Sequence, residues 1–375
     1  MQLRGGVNTL HFDFGALKEL SGALASLESR RPMLVTDPGL LATGIVDRVR
    51  EAAGGSFAAE YSETPPNPDE ASTKAAHTAF LESNCDSVVA LGGGSSMDLA
   101  KGVALLATHD GELASYGASR GGLGAIGPVA PLIAIPTTAG TGSEVSVGAV
   151  IILEDGQKET FVAPTLIPRI ALCDPELTIS MPPWLTAATG MDAVTHCIES
   201  ALTPAFAPHL EAVAYDGLER AVAQGNLQRA VDDGGDRSAR WEMLLASTEG
   251  ALAFQKGLGP VHALSHATGR LPLRLHHGTL NAIFLPGVLR FGEGAVPEKY
   301  TKLARAMGLE EGKSIADATD QLRESLGLPE KLGPLGVKEE DIDSIVRYAQ
   351  ADIAHRGGVK RVSAEDYERM VRDVL

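Results

Sequence analysis

Short apolar runs alternate with longer amphipathic stretches through the first half of the chain. "PMLVTD" (32–37) reads as a strand and "PGLLATGIVDRVREAA" (38–53) as a helix. "FAAEYSE" (57–63) predicts a second strand and "DEASTKAAHTAFLESN" (69–84) a helix. "DSVVALGGG" (86–94) runs from a strand into a glycine turn, "SSMDLAKGVALLAT" (95–108) continues as a helix, and "PLIAIPTT" (131–138) is a further strand. Strands apolar on both faces, alternating with helices, predict a parallel sheet covered by helices. From "PPWLTAATGMDAVTHCIESAL" (182–202) onward the helical period takes over and strand-like runs are few. The expected organisation is an α/β domain over residues 1–180 and an all-α domain over 181–375, joined at "SMPPW" (180–184). The length of 375 residues suits two domains of ~100–200 residues each.

Composition narrows the function. The chain is 44% hydrophobic and 21% charged, as globular proteins are, with a formal net charge of −16. That charge excludes nucleic acid, which requires a basic footprint, and argues against docking on an anionic membrane. No stretch reaches the roughly 18 uninterrupted apolar residues of a membrane span. "MQLRGGVNTLHFDFG" lacks the apolar core of a secretory signal. Three cysteines, Cys85, Cys173 and Cys197, are few and odd in number, which fits a reducing compartment. The expected location is cytoplasmic.

Two stretches carry candidate phosphate chemistry. "ALGGGSSMDLAKG" places Gly92, Gly93, Gly94 and Ser95 between an apolar strand and a helix. Glycines there let the backbone approach a phosphate, and a helix N-terminus offers free N–H groups and a positive dipole end. The spacing is neither G-x-G-x-x-G nor a Walker loop, because Lys101 falls in the wrong place. "IPTTAGTGSEV" (135–145) brings Thr137, Thr138, Thr141 and Ser143 to the turn after another strand. Both turns together favour a dinucleotide. Asp37, at the end of "MLVTD", could accept hydrogen bonds from an adenosine ribose and would repel a 2′-phosphate, which favours NAD over NADP; it could equally open the turn before a helix.

Histidines cluster in the second half. "GPVHALSHATGRLPLRLHHG" (259–278) holds four of the ten in the chain. "GMDAVTHCIE" sets Asp192 and His196 four residues apart, "VHALSHATG" does the same with His262 and His266, and His276 and His277 follow at "LHHG". Residues at i and i+4 share one helix face and can grip one ion. Oxygen and imidazole donors without thiolates suit a catalytic divalent ion such as Fe2+ or Zn2+.

In this order, "VTD", "PNP", "GGGSSMD", "PTTAGTGSE", "DPELT", "GMDAVTHCIES", "VHALSHATG" and "HHGTLNAIFLP" resemble the iron-containing (group III) alcohol dehydrogenases, which share the dehydroquinate synthase-like fold. The resemblance covers nearly the whole chain. It implies an α/β N-terminal nucleotide-binding domain with a parallel sheet plus an all-α C-terminal metal-binding domain, with catalysis in the cleft between them. It implies metal ligands at Asp192, His196, His262 and His277, with the pyrophosphate on Gly94 and Ser95 and with Gly93 and Asp98 in the same turn. Thr137, Thr138 and Thr141 would flank the nicotinamide, Lys158 would reach the ribose, Asp37 would read the adenosine ribose, and His266 would relay a proton near the substrate. The implied cofactors are NAD(H) and a divalent metal, Fe2+ ahead of Zn2+. The implied partners are a small alcohol or aldehyde and further copies of the chain in a homo-oligomer, dimer or larger.

The sequence departs from the family at the last ligand, where the family usually reads Pro-His-Gly. Here a histidine replaces the proline and "RLPLRLHHG" is one residue longer. Aligning on Gly278 selects His277, which is preferred because the glycine turn should fix ligand geometry; counting from His262 selects His276. Two relatives on the same fold give alternative readings. A maleylacetate reductase would differ at the metal positions, and a dehydroquinate-synthase-like cyclase would use NAD only transiently.

Overall fold

The computed structural model describes residues 8–375, which divide into two compact units. The first comprises the described residues up to Thr138 together with Gly142–Ser180; the second is Met181–Leu375 together with Ala139–Thr141.

The first unit is built on a six-stranded sheet. Its strands are β1 (Thr9–Phe12), β2 (Pro32–Val35), β3 (Ala59–Tyr61), β4 (Ser87–Gly92), β5 (Leu132–Pro136) and, after a hairpin, β8 (Ile170–Cys173). They lie in the order β1-β8-β5-β4-β2-β3 and every pairing is parallel. β4 and β5, "SVVALG" and "LIAIP", are buried at every position. That follows from a central parallel sheet with helices on both faces, which leaves no solvent side for polar residues. One face packs Leu34, Val89, Leu91, Ile133 and Ile135 against α1 (Leu20–Ser26) and α3 (Ile45–Ala52). The other packs Met33, Val88, Ala90 and Ala134 against α4 (Glu70–Glu82) and α5 (Gly94–Leu106).

β2 leads outward to β3, whereas β4 leads the opposite way to β5, so the order reverses between β2 and β4. Ligands of open α/β sheets bind at that switch, beyond the carboxyl ends of the strands. Asp37 and the Gly92–Ser95 turn lie at those two strand ends.

Three features differ from the sequence expectation. The helix expected over 38–53 is two pieces, α2 (Pro38–Leu41) and α3, because Gly44 takes a left-handed φ of 76° and restarts the chain. Strands β1 and β8 were not identified from the sequence. Nor were β6 (Gly148–Ile152) and β7 (Lys158–Val162), an antiparallel pair whose alternating burial marks one solvent-facing side. Finally, Thr141 belongs to the helical unit rather than to the unit of Thr137 and Thr138.

The second unit is all helical: α6 (Pro183–Leu202), α7 (Pro208–Leu218), α8 (Asn226–Asp232), α9 (Arg237–Ala253), α10 (Pro260–Thr268), α11 (His277–Gly292), α12 (Pro297–Ala306), α13 (Ile315–Ser325), α14 (Ile342–Ala351) and α15 (Ala364–Asp373). α6 is its axis, buried from Thr186 to Leu202. Small residues make such a central helix possible. A Cβ on Gly278 would stand 2.0 Å from the Ala188 carbonyl oxygen, so the start of α11 lies directly on α6. No helix among the described residues is long and apolar enough to cross a membrane.

Candidate metal centre and nucleotide turn

α6 presents Asp192 and His196 on one face, as the i, i+4 spacing requires. α10 adds His262, and α11 begins at His277. Asp192 Oδ1 lies 3.5 Å from His196 Nε2, 3.8 Å from His262 Nε2 and 3.6 Å from His277 Nε2. The donor atoms of Asp192, His196 and His262 all fall within 4.8 Å of one another. Donors set tetrahedrally around one ion, ~2.0–2.2 Å from it, stand roughly 3.4 Å apart, so the separations among Asp192, His196 and His262 suit a divalent cation. His277 meets Asp192 at 3.6 Å but lies outside that mutually close group.

Protonation states also fit. The Nδ1 atom of His262 lies 2.7 Å from Glu199 Oε2. An ionised carboxylate only accepts, so Nδ1 carries the proton and Nε2 turns its lone pair to the centre. Ser265 Oγ donates to the His262 carbonyl at 3.2 Å and, so engaged, accepts at 3.3 Å from a His277 Nδ1–H, the tautomer that would turn the Nε2 lone pair to the centre. Burial pushes His196 down to about 4, against the pull of Asp192, so its ring is neutral at physiological pH. Neutral imidazoles and an ionised carboxylate are the forms that ligate metal.

His266 lies beside this centre rather than in it. Its ring stacks on that of His277, with centroids 5.2 Å apart, and its Nδ1 lies 3.0 Å from Asp352 Oδ2. Burial alone would raise the Asp352 carboxyl, but His266, the Ala354 backbone N–H and Arg270 hold it below the usual carboxylate range. His276 occupies the position before α11 without capping it through its side chain, and sets its ring edge-on to Trp184, at 5.9 Å between centroids.

Sequence reasoning missed three polar neighbours. Asn281 donates from Nδ2 to Asp192 Oδ1 at 2.7 Å, and the same atom is 3.3 Å from His262 Nε2 and 3.2 Å from His277 Nε2. It stands four residues after His277, a spacing that could have singled it out. Glu199, seven residues after Asp192 on α6, could have been found the same way. Asp352 gave no local signal, since 86 residues separate it from His266.

The glycine turn lies in the α/β unit. Gly92 has φ 144°, outside the range of ordinary side chains, and a Cβ there would meet Ser96 Oγ at 2.5 Å. Gly93 precedes α5, and Gly94 and Ser95 form its first turn. A Cβ on Gly93 would lie 3.3 Å from Thr138 Oγ1, a buried hydroxyl with no hydrogen-bond partner among the described residues. A free hydroxyl beside open helix N–H groups fits a phosphate or amide ligand. Thr137 is buried and donates its backbone N–H to Gly92 O at 3.0 Å. Ser95 Oγ accepts from the Asn67 N–H at 3.2 Å, and Asn67 Oδ1 accepts from Lys158 Nζ at 3.1 Å, so Lys158 is held toward the start of α5.

Asp98 faces inward. Its Oδ1 accepts from Ser143 Oγ at 2.8 Å and its Oδ2 from Val150 N at 3.0 Å, pinning the 143–150 segment to α5. Burial pushes this carboxyl up, opposed by the nearby Lys101 ammonium. Asp37 caps α2, accepting from Gly39 N at 2.9 Å through Oδ1, while Oδ2 accepts from Ser96 Oγ at 3.3 Å.

Comparison with known proteins agrees with the two-part fold. Residues 8–175 match the family model for iron-containing alcohol dehydrogenase, and residues 186–375 match that for the C-terminal part of the same family. The chain is 49% identical over 375 residues to a 4-hydroxybutyrate dehydrogenase from Cupriavidus necator, covering 98% of each. It is 32% identical to an NAD-dependent methanol dehydrogenase from Bacillus methanolicus, covering 96% of each. A solved structure of a 1,3-propanediol oxidoreductase superposes with a TM-score of 0.91 at 32% identity, over 100% of both chains. The expected parallel-sheet and all-helical halves are those of this family, and the chain belongs to the iron-containing alcohol dehydrogenases, oxidoreductases that act on CH–OH groups.

Proposed function

We propose that the chain interconverts a small alcohol and its aldehyde with NAD(H), using a divalent cation held by Asp192, His196, His262 and His277, Fe2+ ahead of Zn2+. The observation that carries this reading is the convergence of three imidazole Nε2 atoms on Asp192 Oδ1 at 3.5, 3.8 and 3.6 Å. When bound, the cation supplies Lewis acidity toward the alcohol oxygen, and the nicotinamide supplies the hydride acceptor. The remaining work falls to side chains of this protein. His266 donates Nδ1–H to Asp352, which leaves its Nε2 to take the proton lost by the alcohol and pass it to water.

In the same reading the α/β domain, residues 1–180, binds the nucleotide, and the helical domain, 181–375, binds the metal. Gly93, Gly94 and Ser95 receive the pyrophosphate on the free N–H groups of α5. Lys158 reaches the ribose, Thr137, Thr138 and Thr141 border the nicotinamide, and Asp98 holds the 143–150 segment in place. Asp37 retains lone pairs for the adenosine ribose, which favours NAD, as does the identity with an NAD-dependent relative. The 49% identity with a 4-hydroxybutyrate dehydrogenase makes 4-hydroxybutyrate the first substrate to try. A homodimer or larger assembly follows from the family resemblance, and light scattering tests it. None of Cys85, Cys173 and Cys197 forms a disulfide, which supports a reducing, cytoplasmic setting.

The test is NADH turnover by anaerobically purified protein, metal-stripped and then reloaded with Fe2+ or Zn2+, across an aldehyde panel. Metal-dependent turnover that disappears in His262→Ala, with the fold retained by circular dichroism, is expected. Full activity in that variant would sink the assignment. Bound NAD without net change in NADH would instead favour cyclase chemistry.

A further inference from the structure

We infer that Glu199 is a positioning residue for His262: its buried carboxylate fixes the Nδ1–H tautomer of that ring and thereby sets how tightly the helical unit holds its cation. This rests on the metal reading above.

Glu199 is 3% exposed and lies on the face of α6 that carries Asp192 and His196. Its Oε2 is 2.7 Å from His262 Nδ1 and also accepts from the backbone N–H of Gly259 at 3.0 Å and of His262 at 3.3 Å. Its Oε1 accepts from Val261 N at 2.8 Å. A buried carboxylate is costly unless its charge is compensated. Here the compensation is the first turn of α10, whose free N–H groups and positive dipole end face it, together with the imidazole N–H. The space is reserved, since a Cβ on Gly259 would lie 2.6 Å from Glu199 Oε1.

One side chain therefore does two jobs. It ties the end of α6 to the start of α10, and it leaves His262 only one tautomer. Without the carboxylate, Nε2 could carry the proton, and an N–H pointing at the centre opposes a cation. The negative charge also makes the ring a more basic ligand. Outer partners of this kind typically contribute 10–100-fold in metal affinity.

The experiment compares wild type and Glu199→Gln, which keeps the shape and removes the charge. Both are prepared metal-free, and Zn2+ affinity is measured by competition with a chromogenic chelator. The variant should bind Zn2+ about 10–100-fold more weakly at an unchanged near-ultraviolet circular dichroism spectrum. If Glu199 only caps the helix, the metal-free variant melts earlier but its Zn2+ Kd matches wild type, and the inference fails alone. Failure of wild type to bind Zn2+ overturns the metal reading and the inference with it. Should the variant not fold, nitrogen NMR of 15N-histidine-labelled, metal-free wild type decides. A protonated Nδ1 on His262 is expected, with its signal identified by its loss in His262→Gln; a protonated Nε2 overturns the inference.

Discussion

His277 Nε2 stands 3.6 Å from Asp192 Oδ1, whereas the adjacent ring, His276, turns away to meet Trp184 edge-on. The difference arises where α11 begins. His276 has an extended φ, ψ of −74°, 127°, and His277 is the first helical residue, so the two side chains diverge. His277→Ala should lose bound metal and nearly all turnover. His276→Ala should keep both within a few-fold. Metal content by mass spectrometry, alongside NADH turnover, decides, and the opposite pattern would make His276 the ligand.

Gly278 controls the same contact by its size. A Cβ there would lie 2.0 Å from Ala188 O and 3.3 Å from Asp192 Cβ, and the backbone oxygen cannot rotate away. Gly278→Ala must therefore lift the start of α11 off α6 and draw His277 from Asp192. Overpacking of this kind costs about 1–3 kcal/mol. The variant should melt earlier than wild type and bind Zn2+ more weakly. A wild-type melting curve with wild-type affinity would mean that α11 adjusts without moving His277.

These two residues also show what a sequence can reveal. The spacings Asp192–His196 and His262–His266 announce helix faces, and a glycine after a histidine announces a tight approach, so the clustering of Asp192, His196 and His262 was readable from local pattern and family resemblance. β4 and β5 were readable because a strand buried on both faces is a continuous apolar run. The hairpin of β6 and β7 was harder, because its strands are only half buried and its members carry Lys158, Glu159 and Thr160. Asp352 was invisible for another reason. Its role comes from tertiary placement beside His266, and a lone Asp carries no period.

Asp37 offers a test of cofactor choice. Its Oδ1 caps α2 through Gly39 N, and its Oδ2 sits by Ser96 at the switch point of the sheet. Serine also caps helices well, so Asp37→Ser removes the charge with little loss of stability. The variant should raise kcat/KM for NADPH relative to NADH by about tenfold or more, the equivalent of roughly 1.4 kcal/mol, because the repulsion of a 2′-phosphate is gone. An unchanged ratio would confine Asp37 to its capping role.

Glu249 should make stability depend on pH in a direction opposite to most carboxylates. It lies on α9 with its side chain 14% exposed, and its Oε2 is 3.4 Å from Arg220 Nε. Burial, then the shared proton and negative charge of Asp216 on α7, push Glu249 up to about 8, more than Arg220 can offset. The unfolded chain would titrate at the ordinary value of 4.5. Between those two values the folded protein binds more protons than the unfolded one, so this group stabilises fully at low pH and loses its contribution as pH rises toward 8. Glu249→Gln keeps the neutral shape and cannot ionise. Urea melts at pH 5 and pH 8 should show wild type losing up to a few kcal/mol that the variant keeps. Parallel losses in the two proteins would mean that Glu249 is already ionised in the fold, with Arg220 rather than Asp216 as its governing partner.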